Sequence, residues 1–222
     1  MPVFKRNPFG HILFVKKWLI RILGVISHGR YRRFNNLQIE GSEIIRQLPD
    51  TNVLFISNHQ TYFAETSLFF IIFSHLNIGV FNKINRGYAM LFPKVNLFYV
   101  AAAETMKSGL LPRIFKQVGA VTVERTWREK GKEIKREVNP KNTAQIEKAL
   151  ANGWVITFPQ GTTKSYSPVR KGTAHIIREN QPVVVPIRVD GFRRAFDKKG
   201  LLIKKKGVDI TVEFLPPVKF SS

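Results

Sequence analysis

Cysteine is absent from this chain of 222 residues. Without a thiol, the chain cannot form a disulfide, a thiolate metal site or a cysteine nucleophile. Acidic residues are also scarce, because 15 Asp and Glu accompany 36 Lys and Arg and leave a formal net charge of +21. A surface of this charge attracts anions, a class that includes nucleic acid, anionic lipid, phosphorylated cofactors and acidic carrier proteins.

Long apolar runs are missing as well. Near the N-terminus, basic residues interrupt every apolar stretch, and each uncharged stretch is well short of the roughly 20 residues that span a bilayer. A second uncharged run, from Thr66 to Asn82, contains Ser, His and Asn, and it predicts a buried helix. No small-residue cleavage site follows the first region, so a signal peptide is not expected.

The N-terminal segment combines basic and aromatic residues. The first 39 residues contain eight Lys and Arg and no acid, and Phe14, Trp18, Ile22 and Val25 follow the spacing of one helical stripe. Such a helix fits the membrane interface, with Lys16, Lys17 and Arg21 turned toward anionic lipid. We therefore expect residues 1–34 to form a basic amphipathic, membrane-associating helical segment and residues 35–222 to form one domain. A basic helix packed on its own domain is the alternative.

Beyond residue 52, short apolar runs alternate with longer amphipathic ones. The predicted strands are Val53–Ser57, Leu97–Val100, Ala120–Val123, Trp154–Phe158, Val183–Ile187 and Val208–Val212. The predicted helices are Glu65–His75, Lys107–Val118, Lys141–Asn152 and Lys171–Glu179. Several strands are apolar on both faces, which is typical of a sheet buried between helices. The pattern predicts an α/β domain with a single sheet covered by helices on both faces.

Two of the predicted strands end in polar residues. In α/β folds, functional sites gather at the carboxyl ends of strands. Asn58-His59 follows the first strand, and Glu65 is the only acid near His59 in sequence. An imidazole oriented by a carboxylate is the arrangement that general-base catalysis needs, although a simple Asn-His cap is the alternative for an isolated histidine. The turn Pro159–Lys164, after the strand Trp154–Phe158, offers hydroxyls, a glycine and a cation.

Four segments between Asn58 and Ile187 carry a resemblance that extends over about residues 35–215. They are Asn58-His59 with Glu65, the run Gly-Ala-Val-Thr-Val-Glu-Arg from Gly119 to Arg125, Phe-Pro-Gln-Gly-Thr-Thr from Phe158 to Thr163, and Val185-Pro186-Ile187. Together they resemble the lysophospholipid acyltransferase family, typified by 1-acyl-glycerol-3-phosphate acyltransferase. That family has the patterns Asn-His, four residues, Asp; Gly-x-x-x-[Val/Ile]-Asp-Arg; Phe-Pro-Glu-Gly-Thr-Arg; and Val-Pro-[Val/Ile].

The resemblance implies an acyltransferase domain over residues 35–222. It implies transfer of a fatty acyl group from an acyl carrier protein or coenzyme A thioester to the hydroxyl of a lyso-lipid, in membrane lipid biosynthesis. It makes His59 the catalytic base and Glu65 the acid that orients it. The substrate-binding residues that it implies are Asn58, Glu124, Arg125, Gln160, Gly161, Thr162, Thr163 and Lys164. It calls for no resident cofactor and no metal, and it places the protein as peripheral or monotopic on the cytoplasmic face of the cell membrane.

Three of the departures from the family patterns bear on the chemistry. The acid is Glu65, six residues after His59 instead of five, so the turn between them must differ. Gln160 replaces a Glu, and Thr163 replaces the Arg whose fork-shaped guanidinium suits a phosphate. The expected acceptor is therefore 1-acyl-glycerol-3-phosphate or an amino-acid lyso-lipid, with Lys164, Arg125 and Arg170 as substitute cations for a phosphate.

Two other functions are compatible with the sequence. A non-catalytic basic module that binds membranes or nucleic acid would also carry a large positive charge. No recognised nucleic-acid motif occurs, so we do not expect nucleic acid as a partner. The third alternative is a family member that has lost its activity through the changes at Glu65 and Gln160.

Overall fold

The computed structural model describes residues 5–107, 109–124, 128–129, 132–133 and 140–220. The helices are α1 (Leu13–Arg32), α2 (Ala64–Leu76), α3 (Ala103–Lys107), α4 (Leu110–Gly119), α5 (Pro140–Leu150), α6 (Lys171–Asn180) and α7 (Phe192–Ala195). The strands are β1 (Asn36–Glu40), β2 (Val53–Ser57), β3 (Leu97–Ala102), β4 (Ala120–Val123), β5 (Arg128–Glu129), β6 (Lys132–Glu133), β7 (Trp154–Thr157), β8 (Val183–Asp190) and β9 (Asp209–Phe214). Short 3-10 helices cover Ser42–Gln47 and Gly87–Leu91.

One mixed sheet of seven strands organises the chain, in the order β1-β9-β8-β2-β7-β3-β4. Strands β8, β2, β7, β3 and β4 are mutually parallel, so their carboxyl ends meet at one edge, which we call the carboxyl edge. Strand β9 is antiparallel to β8, and β1 is parallel to β9. The connection from β8 to β9 therefore also lies at the carboxyl edge.

Helices cover both faces of this sheet. Along β2, Val53 and Phe55 belong to the core cluster that contains α2, whereas Leu54 belongs to a second cluster with α5 and α6. This alternation follows from the period of two along a strand, and both sets are apolar because both faces are buried. The predicted α/β fold with a single covered sheet is confirmed.

The elements that the sequence did not predict are short or edge elements. Strand β1 lies at the end of the sheet, and α7 has only four residues. The helix expected over Lys107–Val118 begins only at Leu110, as α4, because Gly109 has a φ of +94° and separates it from α3, to which Lys107 belongs. A positive φ is accessible to glycine at little cost, so a glycine can end one helix and begin another.

Helix α1 packs against α2 and α4 with one side and exposes the other. Its buried residues include Ile20, Gly24 and Tyr31, and Gly24 touches Met90 so closely that a Cβ would lie 2.1 Å from the Met90 Cε. Its exposed apolar residues are Phe14, Val15, Trp18, Ile22, Val25 and Ile26. Among the described residues, no helix combines the length and the apolarity that crossing a bilayer requires.

Lys16 differs from the sequence expectation. Its side chain is fully buried, its Nζ donates a hydrogen bond to the Leu97 carbonyl at 2.8 Å, and it lies 4.5 Å from the centre of the Phe98 ring. Burial lowers the pKa of Lys16 to about 7. The prediction that Lys16 faces lipid is therefore wrong, because Lys16 lies on the stripe of Ile20 and Gly24, which faces the domain. Lys17 is exposed, as expected.

Candidate active site

The chain from the end of β2 into the first turn of α2, residues 58–65, is fixed at its start to the end of β8. Asn58 accepts a hydrogen bond from the Val189 N–H and donates one to the Val189 carbonyl, both at 2.8 Å. The Asn58 amide is therefore engaged with backbone and does not line the cavity described below. Its role in substrate binding stays a prediction, and the contact that the structure shows positions the next residue, His59.

The far end of the same loop is closed by Glu65. This side chain is fully buried and accepts hydrogen bonds from the backbone N–H groups of Gln60 and Thr61 and from the Thr61 hydroxyl. Burial raises the pKa of Glu65 to about 7, because desolvation opposes the charged form more strongly than these donors favour it. The loop thus folds around its own acid.

His59 lies between Glu65 and the turn that follows β7. Its Nδ1 is 3.8 Å from Glu65 Oε1, and its ring stacks on Phe158 with 4.0 Å between the ring centres. The structure therefore brings the predicted pair together in spite of the extra residue between them, because Glu65 occupies the first turn of α2 and points back into the loop. An acid on the Nδ1 side favours a proton there and leaves Nε2 as the basic nitrogen.

The turn after β7, residues 158–164, holds the second group of predicted residues. Gly161 has a φ of +63° and donates its N–H to the Phe158 carbonyl, so the chain reverses tightly. Gly161, Thr162 and Thr163 line the cavity. Gln160 instead donates its amide to the Ser167 carbonyl at 2.9 Å, and the Lys164 side chain is exposed; neither is among the lining residues.

A residue that sequence reasoning missed, Arg193 of α7, links this turn to the loop of His59. The Arg193 N–H donates to the Gln60 side-chain oxygen at 3.2 Å. Its guanidinium donates to the Thr163 carbonyl and to the Ser165 hydroxyl. No signal in the sequence relates Arg193 to residues 28 or more positions away, because only the topology of the sheet brings α7 to the carboxyl edge.

These loops surround a cavity of about 580 Å³ at the carboxyl edge of β2, β7, β3 and β4. The turn after β7 and the start of α6 supply polar lining residues: Thr162, Thr163, Arg170, Lys171 and Thr173. Strand β3 and helices α3, α5 and α6 supply apolar ones, which include Val100, Ala101, Met106, Ile146 and Ile176. One cavity therefore offers hydroxyl and cationic groups together with apolar surface.

Two predicted residues follow β4. Glu124 lines the cavity, and its backbone N–H and carbonyl are both hydrogen-bonded to the Asn142 amide, at 3.0 and 2.8 Å. Arg125 lies outside the described residues, so its predicted role stays a prediction. Among the described residues, Arg170, which the sequence analysis named as a substitute cation, and its neighbour Lys171 are the Lys and Arg side chains that line the cavity.

The described residues contain no group of three or more His, Asp or Glu side chains arranged to hold a metal ion. The cavity lining supplies several kinds of chemical group. They are an imidazole beside a buried carboxylic group, several hydroxyls, two cations and an apolar surface. This set suits proton abstraction from a substrate hydroxyl, with room for an apolar chain.

Comparison with known proteins gives two similarities. Residues 36–190 match the family model described as Acyltransferase. The fold is similar to the crystal structure of the 1-acyl-sn-glycerophosphate (LPA) acyltransferase PlsC from Thermotoga maritima, with 19% sequence identity and a TM-score of 0.57. That match covers 93% of this chain and 73% of the other. No curated protein sequence matches the chain.

Proposed function

Because the chain belongs to the acyltransferase family, we propose that it moves a fatty acyl group from an acyl thioester to the hydroxyl of a lyso-lipid, with His59 as the base. The observation that carries this proposal is the position of His59, on the cavity wall with Nδ1 3.8 Å from the buried Glu65. Membership of an enzyme family sets aside the non-catalytic basic module that the charge alone allowed.

The proposed step needs one base and no covalent enzyme intermediate. The Nε2 of His59 takes the proton of the acceptor hydroxyl while that oxygen attacks the thioester carbonyl carbon. A carbon–oxygen bond forms and the carbon–sulfur bond breaks, and the proton passes from His59 to the departing sulfur as a free thiol. Glu65 holds the other proton at Nδ1 and stabilises the imidazolium that forms transiently.

The cavity lining supports an anionic headgroup on the acceptor. Arg170 and Lys171 lie beside Thr162 and Thr163, where the family pattern has an Arg in place of Thr163. Two cations next to hydroxyls and a helix start suit either the phosphate of 1-acyl-glycerol-3-phosphate or the carboxylate of an amino-acid lyso-lipid. The Thermotoga maritima protein of similar fold is named for the phosphate substrate.

A competition experiment tests both the reaction and the headgroup. The protein is given one palmitoyl thioester together with equal amounts of 1-acyl-glycerol-3-phosphate and a hydroxyl-bearing N-acyl amino acid. Release of free thiol should depend on an acceptor, and the acylated products, separated by mass, give the preference between phosphate and carboxylate. If neither acceptor stimulates thiol release, the chain is not a lyso-lipid acyltransferase of this kind, or it has lost the activity.

We propose a peripheral or monotopic position on the cytoplasmic face of the membrane, and the outer face of α1 supports the membrane contact. Trp18, Ile22 and Val25 are 47–64% exposed on this face, and Leu91 and Phe92 are each 54% exposed beside the same helix. The Arg21 guanidinium donates to the Leu91 carbonyl at 2.8 Å, which joins the two groups into one surface. Aromatic and aliphatic groups with flanking cations are typical of interfacial helices.

Vesicle binding tests this surface. The double variant Trp18→Ser/Ile22→Ser should bind anionic vesicles at least about tenfold more weakly, because burying one such side chain contributes roughly 1.5–3 kcal/mol. The matched control is Val169→Ser, an apolar residue that is 69% exposed elsewhere on the surface. Equal vesicle binding by both variants and the wild type would place the membrane contact on another face.

A further inference from the structure

The connection from β8 to β9 carries an unusual concentration of positive charge. Residues 193–206 contain seven Lys and Arg and one acid, Asp197. All seven basic side chains are exposed: Arg193, Arg194, Lys198, Lys199, Lys204, Lys205 and Lys206. We call this segment, residues 193–206, the basic loop.

Little of this charge is neutralised locally. The Asp197 carboxylate accepts hydrogen bonds from the backbone N–H groups of Leu201 and Leu202, at 2.7 and 2.9 Å, and so shapes the loop. Arg194 pairs with Asp190 at 3.0 Å. Within the part of the chain that the structure describes, none of the five lysines of the basic loop forms a salt bridge.

The basic loop is attached directly to the loop that carries His59. The N–H groups of Tyr62 and Phe63 donate to the carbonyls of Lys198 and Lys199, at 3.2 and 3.0 Å. Tyr62 itself lines the cavity. Gly200, with a φ of +75°, lies so close to α2 that a Cβ there would be 2.6 Å from the Ala64 nitrogen. The lysines therefore stand at the edge of the sheet where the cavity lies.

The end of α1 fixes the loop from a second side. Arg30 donates from its guanidinium to the Gly200 carbonyl at 2.8 Å, and its guanidinium carbon lies 4.8 Å from the centre of the buried Phe196 ring. The Gly207 N–H donates to the Phe34 carbonyl at 2.7 Å. A loop held at both ends presents its charges in a fixed arrangement, which lowers the entropic cost of binding a partner.

We propose that the basic loop docks an acidic acyl carrier protein, which presents its thioester-bound acyl group to the cavity beside Tyr62. This inference rests on the proposed acyl transfer and identifies its donor. A complementary charged surface next to a reaction site increases the association rate and selects the partner, as a long-range field does in other protein pairs.

Two features favour a protein over the other anions. A coenzyme carries few phosphates, whereas six cations other than the paired Arg194 are spread over the basic loop, and none of them is among the residues that line the cavity. A lipid surface would call for exposed apolar groups among the charges, but Leu202 is the only large exposed hydrophobic side chain of residues 193–206. On the outer face of α1, by contrast, the aromatic side chains of Phe14 and Trp18 are exposed together with several aliphatic ones.

The test compares two donors that carry the same acyl chain, palmitoyl carrier protein and palmitoyl-coenzyme A, with the full-length protein. The variant is Lys198→Glu/Lys199→Glu. The control is Lys148→Glu/Lys219→Glu, which changes the net charge equally at two exposed positions away from the basic loop. We expect kcat/KM for the carrier donor to fall at least tenfold in the variant, with less than a threefold change for the coenzyme donor and for the control.

Direct binding separates this inference from the proposed function. Fluorescence anisotropy of labelled palmitoyl carrier protein should report complex formation that weakens with salt and with Lys198→Glu/Lys199→Glu, whether or not turnover occurs. The docking proposal would be contradicted if Lys198→Glu/Lys199→Glu lowered kcat/KM equally for both donors. It would also be contradicted if this variant lost vesicle binding but still bound the carrier protein. Absence of carrier binding by the wild-type protein would overturn it as well. Carrier binding without transfer to any lyso-lipid would instead contradict the proposed function alone.

Discussion

The two loops that contribute to the cavity wall are stabilised in different ways. In residues 58–65, a fully buried carboxylic group collects three hydrogen bonds from its own loop, and Asn58 is fixed to β8 by two more. In residues 158–164, no side chain is fully buried; the Gly161 N–H donates within the turn, and side-chain contacts join Gln160 to Ser167 and Arg193 to Thr163. The first loop is built around a buried acid, whereas the second has no buried side chain at its centre.

This difference corresponds to two different tasks. A base must stay within a narrow range of distance and direction from the proton it removes, and a displacement near 1 Å costs about 10²-fold in rate. A charged headgroup can be bound by any cation that reaches it. In the proposed reaction, the geometry of the loop compensates for the shift of the acid to Glu65, and Arg170 and Lys171 on the same cavity wall take the place of the Arg that the family pattern has at position 163.

The largest expected effect is in the first loop. His59→Ala removes the proposed base, so kcat should fall by about 10²–10⁴-fold while the protein still folds. The measurement is thiol release from a palmitoyl thioester with a saturating lyso-lipid. His175→Ala, on α6 and outside the cavity lining, is the matched control and should retain its rate. Equal rates for both variants and the wild type would remove His59 from the mechanism.

Glu65→Gln should also act through His59, as expected of a positioning residue. The variant keeps the size of the side chain but removes the negative charge beside Nδ1, and we expect kcat to fall by about 10–10²-fold. The double variant Glu65→Gln/His59→Ala should be little slower than His59→Ala alone, because groups that act as a unit are not additive. Additive losses would show that Glu65 serves the fold of the loop only.

The pH dependence gives an independent measure of Glu65. Its pKa is raised from an ordinary value of 4.5 to about 7, so its contribution to stability is present below pH 4.5 and is lost as the pH rises through about 7. Urea unfolding should therefore show that Glu65→Gln becomes more stable relative to the wild type between pH 5 and pH 8. Wild-type kcat should fall as the pH drops below about 7, because protonation removes the anion that His59 requires. A constant stability difference over this range would contradict a raised pKa.

The sequence predicted the sheet and its helices because those elements are decided by apolar periodicity. Strand β2 is apolar on both faces, and its five residues were predicted to the residue. Lys16 was misplaced because its burial depends on which side of α1 packs on the domain. A basic side chain beside Trp18 gives no sign of the Leu97 carbonyl that accepts its hydrogen bond.

Within the site, the sequence predicted the pair His59 and Glu65 but not the supports around them. The contacts of Asn58 with Val189 and of Arg193 with Thr163 join residues far apart in the chain, and the order of the strands alone brings them together. Which side chains of a turn enter a cavity is also decided by local geometry. Thr162 and Thr163 line it and Gln160 does not, although all three belong to one short segment.

Arg170 lies between the turn after β7 and α6, and Arg170→Ala should moderately weaken binding of the acceptor. Removal of one of two cations at the headgroup should raise the KM for the acceptor about tenfold and change kcat much less, because the lost interaction is present before and during the reaction. The control is Arg178→Ala, an exposed Arg of α6 whose partner is Glu179. A loss confined to kcat would show that Arg170 contributes to the chemical step, and the contrast between the two loops would then be wrong.

The smallest effect is expected at Gln160, which belongs to the turn after β7 but does not line the cavity. Its amide donates to the Ser167 carbonyl and does not line the cavity, so Gln160→Ala should cost about 0.5–1.5 kcal/mol of stability and change the acceptor KM less than Arg170→Ala does. Gln160→Glu, which restores the acid of the family pattern, should destabilise the turn further, because a carboxylate cannot donate to that carbonyl. Thermal unfolding and acceptor KM measured on both variants check this order. A tenfold rise in the acceptor KM for Gln160→Ala would mean that the Gln160 side chain contacts the substrate. The turn after β7 would then have to rearrange when the lyso-lipid binds.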